Sequence, residues 1–406
     1  MKTFISKIKL KNILSFNEEG IDIELRNLNV LVGANGSGKS NFIEAFSLLR
    51  AAPIHLANDG IRKKGGIIAW LHKSQQETSG TPIASIEVLT GITSAHRGYN
   101  IPIKHRIDFT ESAYRFEMVD EVIEDSRPTG DELIPYFYYK YCTRDGCPSP
   151  MIAMLDENQR HRGLQKYSMK SEQSILSQIK DNTGLYPEIM QLSEAYEQIR
   201  IYQEWTFSRY SKVREPQKTD LRNDFLEEDC QNLALVLNQI QKNPKIKKKI
   251  LEYLKILYPR FSDYTTQIEA GSAQIFFIED NVSIPATRLS DGTLRFLALL
   301  TALYSPTSGN LICIEEPELG LHPDILPTIA EILKEASQTK QLIVTTHSDI
   351  LIDALSDTPE SVIVCENTRG YTTLKRLDEN ELREWLEEYT LGQLWTRGEI
   401  GGNRFG

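Results

Sequence analysis

Apolar and polar positions along the chain fall into three regimes. Residues 4–16 alternate, as a half-buried strand pair does, and Leu28 to Val32 is a short apolar run of the kind a buried strand makes. The segment NFIEAFSLLRAA after Ser40 carries apolar residues at helical spacing, and residues 82–92 and 99–118 return to strand-like patterns. From about 135 the character changes. Tyr136 to Tyr141 is aromatic-rich, and helices are predicted around 171–180, 186–204, 221–241 and 245–257. The last is best marked: Asn243 suits the N-cap, Pro244 the first helical position, and Ile246, Ile250, Leu254 and Leu257 share one face. From about 272, strands (274–279, 310–314, 341–346, 361–365) alternate with helices starting at 291, at Pro323 and near 348.

Alternation of strand and helix predicts an α/β fold, a mainly parallel sheet covered by helices, with an antiparallel β part near the N-terminus. The interruption makes it one split domain rather than two in tandem: 1–134, a mostly helical insertion over 135–270, and 271–406. No internal repeat, low-complexity tract or long heptad pattern interrupts this reading.

Composition narrows the function. With 406 residues, 40 % of them hydrophobic and 25 % charged, the chain can bury a large core. Its 46 Lys and Arg against 56 Asp and Glu give a net charge of −10, which argues against a generally basic nucleic-acid coat but not against a local basic patch. No apolar run approaches the roughly 18 residues that span a bilayer, and MKTFISKIKLKNILSF has no continuous apolar core of a signal peptide. A cytoplasmic protein with no membrane partner is expected. Of the five cysteines, Cys142 and Cys147 lack a second Cys/His pair for zinc, so all five read as structural thiols.

Candidate chemistry begins at NLNVLVGANGSGKSN. Gly33, Gly38, Lys39 and Ser40 fit G-x-x-x-x-G-K-[ST] directly after an apolar strand and before a helix, the context a phosphate-binding loop requires. Over Gly33, Ala34, Asn35, Gly36, Ser37, Gly38, Lys39, Ser40 and Asn41, glycines let backbone N–H groups curl toward phosphate oxygens, and the helix start adds its dipole. Lys39 is expected to neutralise the β- and γ-phosphates and Ser40 to ligate Mg²⁺. In NLICIEEPE an apolar strand ends in two carboxylates that point to opposite faces. Glu315 is assigned to the Mg²⁺ shell and Glu316 to polarising the attacking water. In QLIVTTHSD, His347 follows another strand, where an imidazole can hydrogen-bond a γ-phosphate or that water. Ser290, Asp291, Gly292 and Thr293 precede an amphipathic helix. They read either as an ordinary N-cap or as a second anion site, met by nucleotide on another copy of the chain and therefore implying a two-fold dimer.

GANGSGKSN, LSDGT, ICIEEPELGLHP and TTHSD, in that order, resemble the ABC-type ATPase superfamily, in its SMC, RecF and overcoming-lysogenisation-defect branch. LKNILSF (Leu10 to Phe16) is similar to that branch's opening strand. The resemblance spans about the first 130 and last 135 residues. It implies ATP hydrolysis with Mg²⁺ by a homodimer that sandwiches two nucleotides. Gly33–Asn41 is then the Walker A loop, Ser290–Thr293 the signature, Glu315 the Walker B acid and Glu316 the catalytic glutamate. Glu318 to His322 is the D-loop region and His347 the switch histidine. The signature reads LSDGT rather than LSGGQ, and Walker B carries Glu where Asp is usual. The Q-loop falls in Lys63 to Gln76, with Gln75 or Gln76 as candidates. No acidic D-x-D pattern follows His347, so no TOPRIM nuclease is expected there.

Two features remain. Arg62–Lys64 and Lys242–Lys249 are the notable basic runs, either solvated faces or contacts to the backbone of double-stranded DNA in a groove formed by the dimer. The glycine-rich tail LGQLWTRGEIGGNRFG carries Trp395 and Phe405 and is either disordered or docked on something. Together these point to a nucleotide-driven dimerisation switch working with a separate effector in phage defence. The alternatives are a RecF-like repair ATPase and, with less support, a transporter ATPase subunit.

Overall fold

The computed structural model describes residues 3–73, 81–94, 100–130, 132–142, 147–155, 162–166, 170, 172–180, 184–203 and 205–402. The N-terminal part holds β1 (Ile5–Lys11), β2 (Ile21–Glu24), β3 (Leu28–Val32), α1 (Lys39–Ala51), α2 (Ile67–Trp70), β4 (Ala84–Ser94), β5 (Ile101–Ser112) and β6 (Arg115–Asp125). The middle holds β7 (Phe137–Cys142), β8 (Cys147–Leu155), β9 (Arg162–Lys166), α3 (Ile175–Gln178), α4 (Pro187–Glu197), β10 (Ile199–Tyr202), β11 (Gln217–Lys218), α5 (Leu233–Ile240), α6 (Pro244–Leu257) and β12 (Phe261–Glu269). Then follow β13 (Ser272–Glu279), β14 (Val282–Pro285), α7 (Asp291–Tyr304), β15 (Leu311–Glu315), α8 (Leu326–Ala336), β16 (Gln341–Thr346) and α9 (Asp349–Asp353). The chain closes with β17 (Val362–Thr368), β18 (Tyr371–Arg376), α10 (Glu379–Leu386) and α11 (Leu391–Arg397).

These elements form two compact units. Unit one comprises Met1–Arg26, Gly33–Ile199 and Ile363–Arg376. Its frame is an antiparallel eight-stranded sheet in the order β2-β1-β4-β5-β6-β7-β8-β9. The pattern of β4, buried at every second residue through Thr90, is that of a sheet with one covered face. The first stretch after residue 135 thus continues the sheet as β7–β9, as its aromatic FYYKYC run favours. A buried polar network ties β5 and β6 to the helices above them. The wholly buried Glu121 carboxylate accepts from the Ser174 hydroxyl and the Ile175 N–H (2.9 Å) and lies 3.3 Å from His105 Nε2. His105 Nδ1 meets Tyr196 Oη at 3.0 Å. A buried carboxylate needs such partners, and burial in turn holds the Tyr196 phenol well above its usual range.

Unit two comprises Asn27–Val32, Arg200–Val362 and Leu377–Gly406. In it β15, β16 and β3 run parallel, with β10 beyond β15. All five residues of β3 and all six of β16 are buried, as strands covered on both faces must be. A smaller antiparallel sheet, β11-β13-β12 with β14 on β13, packs beside α5 and α6. Helix α6 starts as its sequence predicts: the Asn243 side chain accepts from Ile246 N–H, and Ile250 and Leu254 are buried. Three expected helices are shorter than their patterns, and that over 171–180 is helical only at Ile175–Gln178. That over 221–241 is helical only from Leu233, because Asn232 accepts from Glu227 N–H and donates to the carbonyls of Arg222 and Phe225, folding the preceding residues into a loop. That over 186–204 ends at Glu197, and IRIY continues as β10, each residue buried. Cys142, Cys230, Cys313 and Cys365 are buried thiols. No helix among the described residues is long and apolar enough to cross a membrane.

Candidate functional site

Strand β3 hands the chain from Val32 directly to Gly33, the first residue of the glycine-rich loop. The loop closes on its own lysine. Lys39 Nζ, on a residue only 5 % exposed, donates to Gly33 O at 2.8 Å and Ala34 O at 3.1 Å. Gly36 and Gly38 take φ of +80° and +101°, which glycine adopts without the Cβ penalty. Helix α1 follows Gly38 with no side-chain cap and buries Phe42, Ile43, Phe46, Leu48 and Leu49. The β17–β18 hairpin holds the loop from outside the motif. The Thr372 hydroxyl donates to Ser37 O at 2.8 Å, and Ser15 Oγ lies 2.7 Å from Thr372 Oγ1. Asn367 Nδ2 donates to Gly36 O at 3.2 Å. A Cβ on Gly33 would stand 2.3 Å from Cys365 O and one on Gly38 2.0 Å from Thr372 Oγ1, whereas one on Gly36 would meet nothing within 4 Å. Ser15 lies in the opening strand segment that the resemblance singled out; Asn367 and Thr372 carry no sequence signal.

The second cluster stands where parallel strands end together. Glu315 of β15 is level with Thr345 of β16, which is level with Leu31 of β3. Past that line Glu316 takes φ +46° and its N–H donates to Thr345 O at 3.1 Å, so the turn is fixed by backbone. Glu316 Oε1 lies 3.2 Å from His347 Nε2, both side chains about one-third exposed at 32 % and 31 %. Glu318, two residues on, accepts from the Thr346 hydroxyl and from His347 N–H (3.2 Å). Burial raises its carboxyl above the ordinary carboxylate range, against the pull of those hydrogen bonds.

Ser290 caps α7: its hydroxyl accepts from Thr293 N–H at 3.1 Å and remains exposed. Gly292 sits where a Cβ would come within 3.0 Å of Gly320 O, so the start of α7 lies against the turn after Glu318. Arg214, which sequence reasoning missed, anchors this element. Its buried guanidinium donates to Ala286 O (2.9 Å) and Leu289 O (2.7 Å) and pairs with Asp291. Further along α7, Arg295 donates to Trp205 O at 2.7 Å, and burial lowers its guanidinium while Cys230, Glu318, Asp291 and Glu316 partly restore it.

Unit one therefore carries Gly33–Asn41, and unit two carries Ser290, Asp291, Gly292, Glu315, Glu316 and His347. Gln75 and Gln76 lie outside the described residues. The basic runs are engaged locally: Lys64 with Glu44 (3.3 Å), Lys63 with Asp59, Lys247 with Asp263 (2.9 Å), Lys248 with Glu252 (3.8 Å) and Lys249 with Glu335. The tail segment with Trp395 forms α11, which packs on α9 so closely that a Cβ on Gly392 would stand 2.6 Å from Asp349 O; Phe405 lies outside the described residues.

Solved SMC head domains share the fold. The head bound to the C-terminal winged-helix domain of ScpA aligns with TM-score 0.58 at 16 % identity, over 93 % of this chain and 99 % of that one. The head with an extended coiled coil from Pyrococcus furiosus aligns with TM-score 0.58 at 13 % identity, over 95 % and 99 %. The chain is 24 % identical to the "Retron Ec83 probable ATPase" of Escherichia coli, over 85 % of this chain and 68 % of that one. It is also 24 % identical to the "Old nuclease" of Escherichia phage P2, over 38 % of this chain and 29 % of that one. Residues 28–146 and 203–353, which contain the phosphate loop, Ser290, the acidic turn and His347, match one family description, "AAA domain, putative AbiEii toxin, Type IV TA system". With more than half of its length matched, this chain belongs to that family.

Proposed function

We propose that the chain binds ATP on Gly33–Asn41, hydrolyses it with Glu316 and His347, and uses the nucleotide to drive dimerisation. The observation that carries this reading is the Glu316–His347 pair at 3.2 Å, at the end of a strand that runs beside β16 and, beyond it, β3, from which the phosphate loop departs. Whether the loop suits a triphosphate can be tested on its own atoms. Ser37 Oγ is buried with no hydrogen-bond partner among the described residues, and Gly36 leaves open space where a side chain would stand, so the loop has both a polar atom to satisfy and room for an anion. Ser40 and Glu315 are the oxygen donors assigned to Mg²⁺, a hard cation that, when bound, neutralises charge on the phosphate oxygens.

In this mechanism Lys39 balances the charge of the terminal phosphates. The Glu316 carboxylate orients water and takes its proton as the water oxygen attacks the γ-phosphorus, while the bond from that phosphorus to the bridging oxygen breaks and ADP leaves. His347 holds Glu316 in place. In the dimer, Ser290 and the Gly292 amide of one copy face the phosphates bound to the other, so ATP favours the closed pair by contacts the open state lacks. The retron relative supports a role in anti-phage defence beside a separate effector protein. The RecF-like alternative calls for a basic surface for DNA, and the pairing of the Lys247–Lys249 run with carboxylates weakens it.

Solution mass with Mg²⁺ and ATP tests the reading. Glu316→Gln is expected to shift from monomer to dimer only with ATP, and Lys39→Ala not to shift. Hydrolysis by Glu316→Gln at the wild-type rate, or a dimer that ignores nucleotide in both variants, overturns it.

A further inference from the structure

The turn after β15 and the turn after β16 are joined by one side chain that the mechanism above leaves unused. Glu318 Oε1 accepts two hydrogen bonds from consecutive residues, the Thr346 hydroxyl and the His347 N–H. Thr346 Oγ1 in turn accepts from Ser348 N–H at 3.0 Å, so the whole turn that carries His347 hangs on this carboxyl. Its own backbone is fixed as well: Leu319 N–H donates to Glu316 O at 3.1 Å and Leu321 N–H to Glu318 O at 3.0 Å. The other oxygen, Oε2, is buried without a hydrogen-bond partner among the described residues. A buried polar atom left unpaired is destabilising, so a residue placed only for stability would be better served by an apolar one.

Resting on the reading of Glu316 and His347 given above, we propose that Glu318 is a positioning residue for hydrolysis: it holds the His347 peptide so that Nε2 stays within reach of the Glu316 carboxylate. Removing that carboxyl takes the acceptor from the His347 N–H, and the 3.2 Å pairing then loosens. What the role requires is an acceptor oxygen rather than a negative charge. Glu318→Gln keeps such an oxygen, whereas Glu318→Leu keeps the volume and loses the acceptor.

The full chain is assayed with Mg²⁺–ATP. Glu318→Leu is expected to lower kcat by about tenfold to a hundredfold, as misplacement of a reacting group does, with KM within about twofold of wild type. Glu318→Gln is expected to recover at least half of the wild-type kcat, on the view that an acceptor suffices. Independently of turnover, the His347 ring proton resonance at fixed pH is expected to move in Glu318→Leu and to return in Glu318→Gln. Thr346→Val, which removes one donor and leaves the His347 N–H in place, is expected to shift that resonance less. An unshifted resonance in Glu318→Leu overturns the proposal, and so does an equal loss of kcat in the Leu and Gln variants. Failure of the underlying reading looks different: Glu316→Gln then turns over like wild type, whatever Glu318 does.

Discussion

The phosphate loop and the acidic turn do their work by opposite means. The loop is a matter of backbone: nine contiguous residues, two with positive φ, closed on a buried lysine, with so little room that two of its glycines could not carry a methyl group. The acidic turn is a matter of side chains, Glu316, Glu318 and His347 brought from two segments and linked by hydrogen bonds between them. A backbone device fails in shape when altered. A side-chain device can fail in chemistry while the shape survives.

That contrast predicts a ranking. Gly33→Ala and Gly38→Ala are expected to cost about 2–4 kcal/mol of unfolding free energy and to abolish ATP binding, because the new Cβ meets the Cys365 carbonyl or the Thr372 hydroxyl and Gly38 also needs positive φ. Gly36→Ala, in open space, is expected to cost only about 1–2 kcal/mol for its left-handed backbone. Thermal unfolding and nucleotide titration of the three variants read the difference, and equal losses would end the distinction between crowded and open positions. Next comes Arg214→Ala, expected to cost about 2–4 kcal/mol by leaving the Ala286 and Leu289 carbonyls without their donor, seen as a lowered denaturant midpoint.

Lys340 sharpens the comparison through pH. Its buried ammonium caps the end of α7, donating to the carbonyls of Leu303 and Ser305, and burial pushes it down to about 8 from an ordinary 10.5. Between those values the unfolded chain binds more protons than the folded one, so this residue makes stability rise with pH across that window. Wild type is expected to gain about 1–3 kcal/mol relative to Lys340→Met between pH 8 and 10.5, measured as the difference in unfolding free energy of the two proteins. The smallest effect on stability belongs to Glu316→Gln, within about 0.5 kcal/mol of wild type because the side chain is part-exposed. A large loss there would mean that the acidic turn, like the loop, is structural first.

How much of this the sequence discloses follows from the same contrast. A device made of contiguous residues is legible: β3, the loop and α1 stand where their pattern places them, and so do β15, β16 and the residues just past them. What escapes is whatever reaches a site from far along the chain. Asn367 and Thr372 steady the loop from more than 300 residues away, and Arg214 steadies Asp291 from 77 residues away. Neither contact leaves a local periodicity. The same holds for Asn232, whose side chain cuts a predicted helix short by bonding to backbone groups before it. Glu318 opens the segment likened to a D-loop, yet its partners at 346 and 347 are visible only once β15 and β16 lie side by side.

The distance between the loop and its clamp has a consequence for synthesis. Gly36 and Ser37 leave the ribosome early, but the Asn367 and Thr372 side chains that hold their carbonyls follow 331 and 335 residues later. At about 5–20 residues per second, that interval is roughly 15–70 s. A growing chain thus displays the complete glycine-rich motif long before it owns a finished loop. The clamp on the Gly36 and Ser37 carbonyls is complete only when β18 has been made.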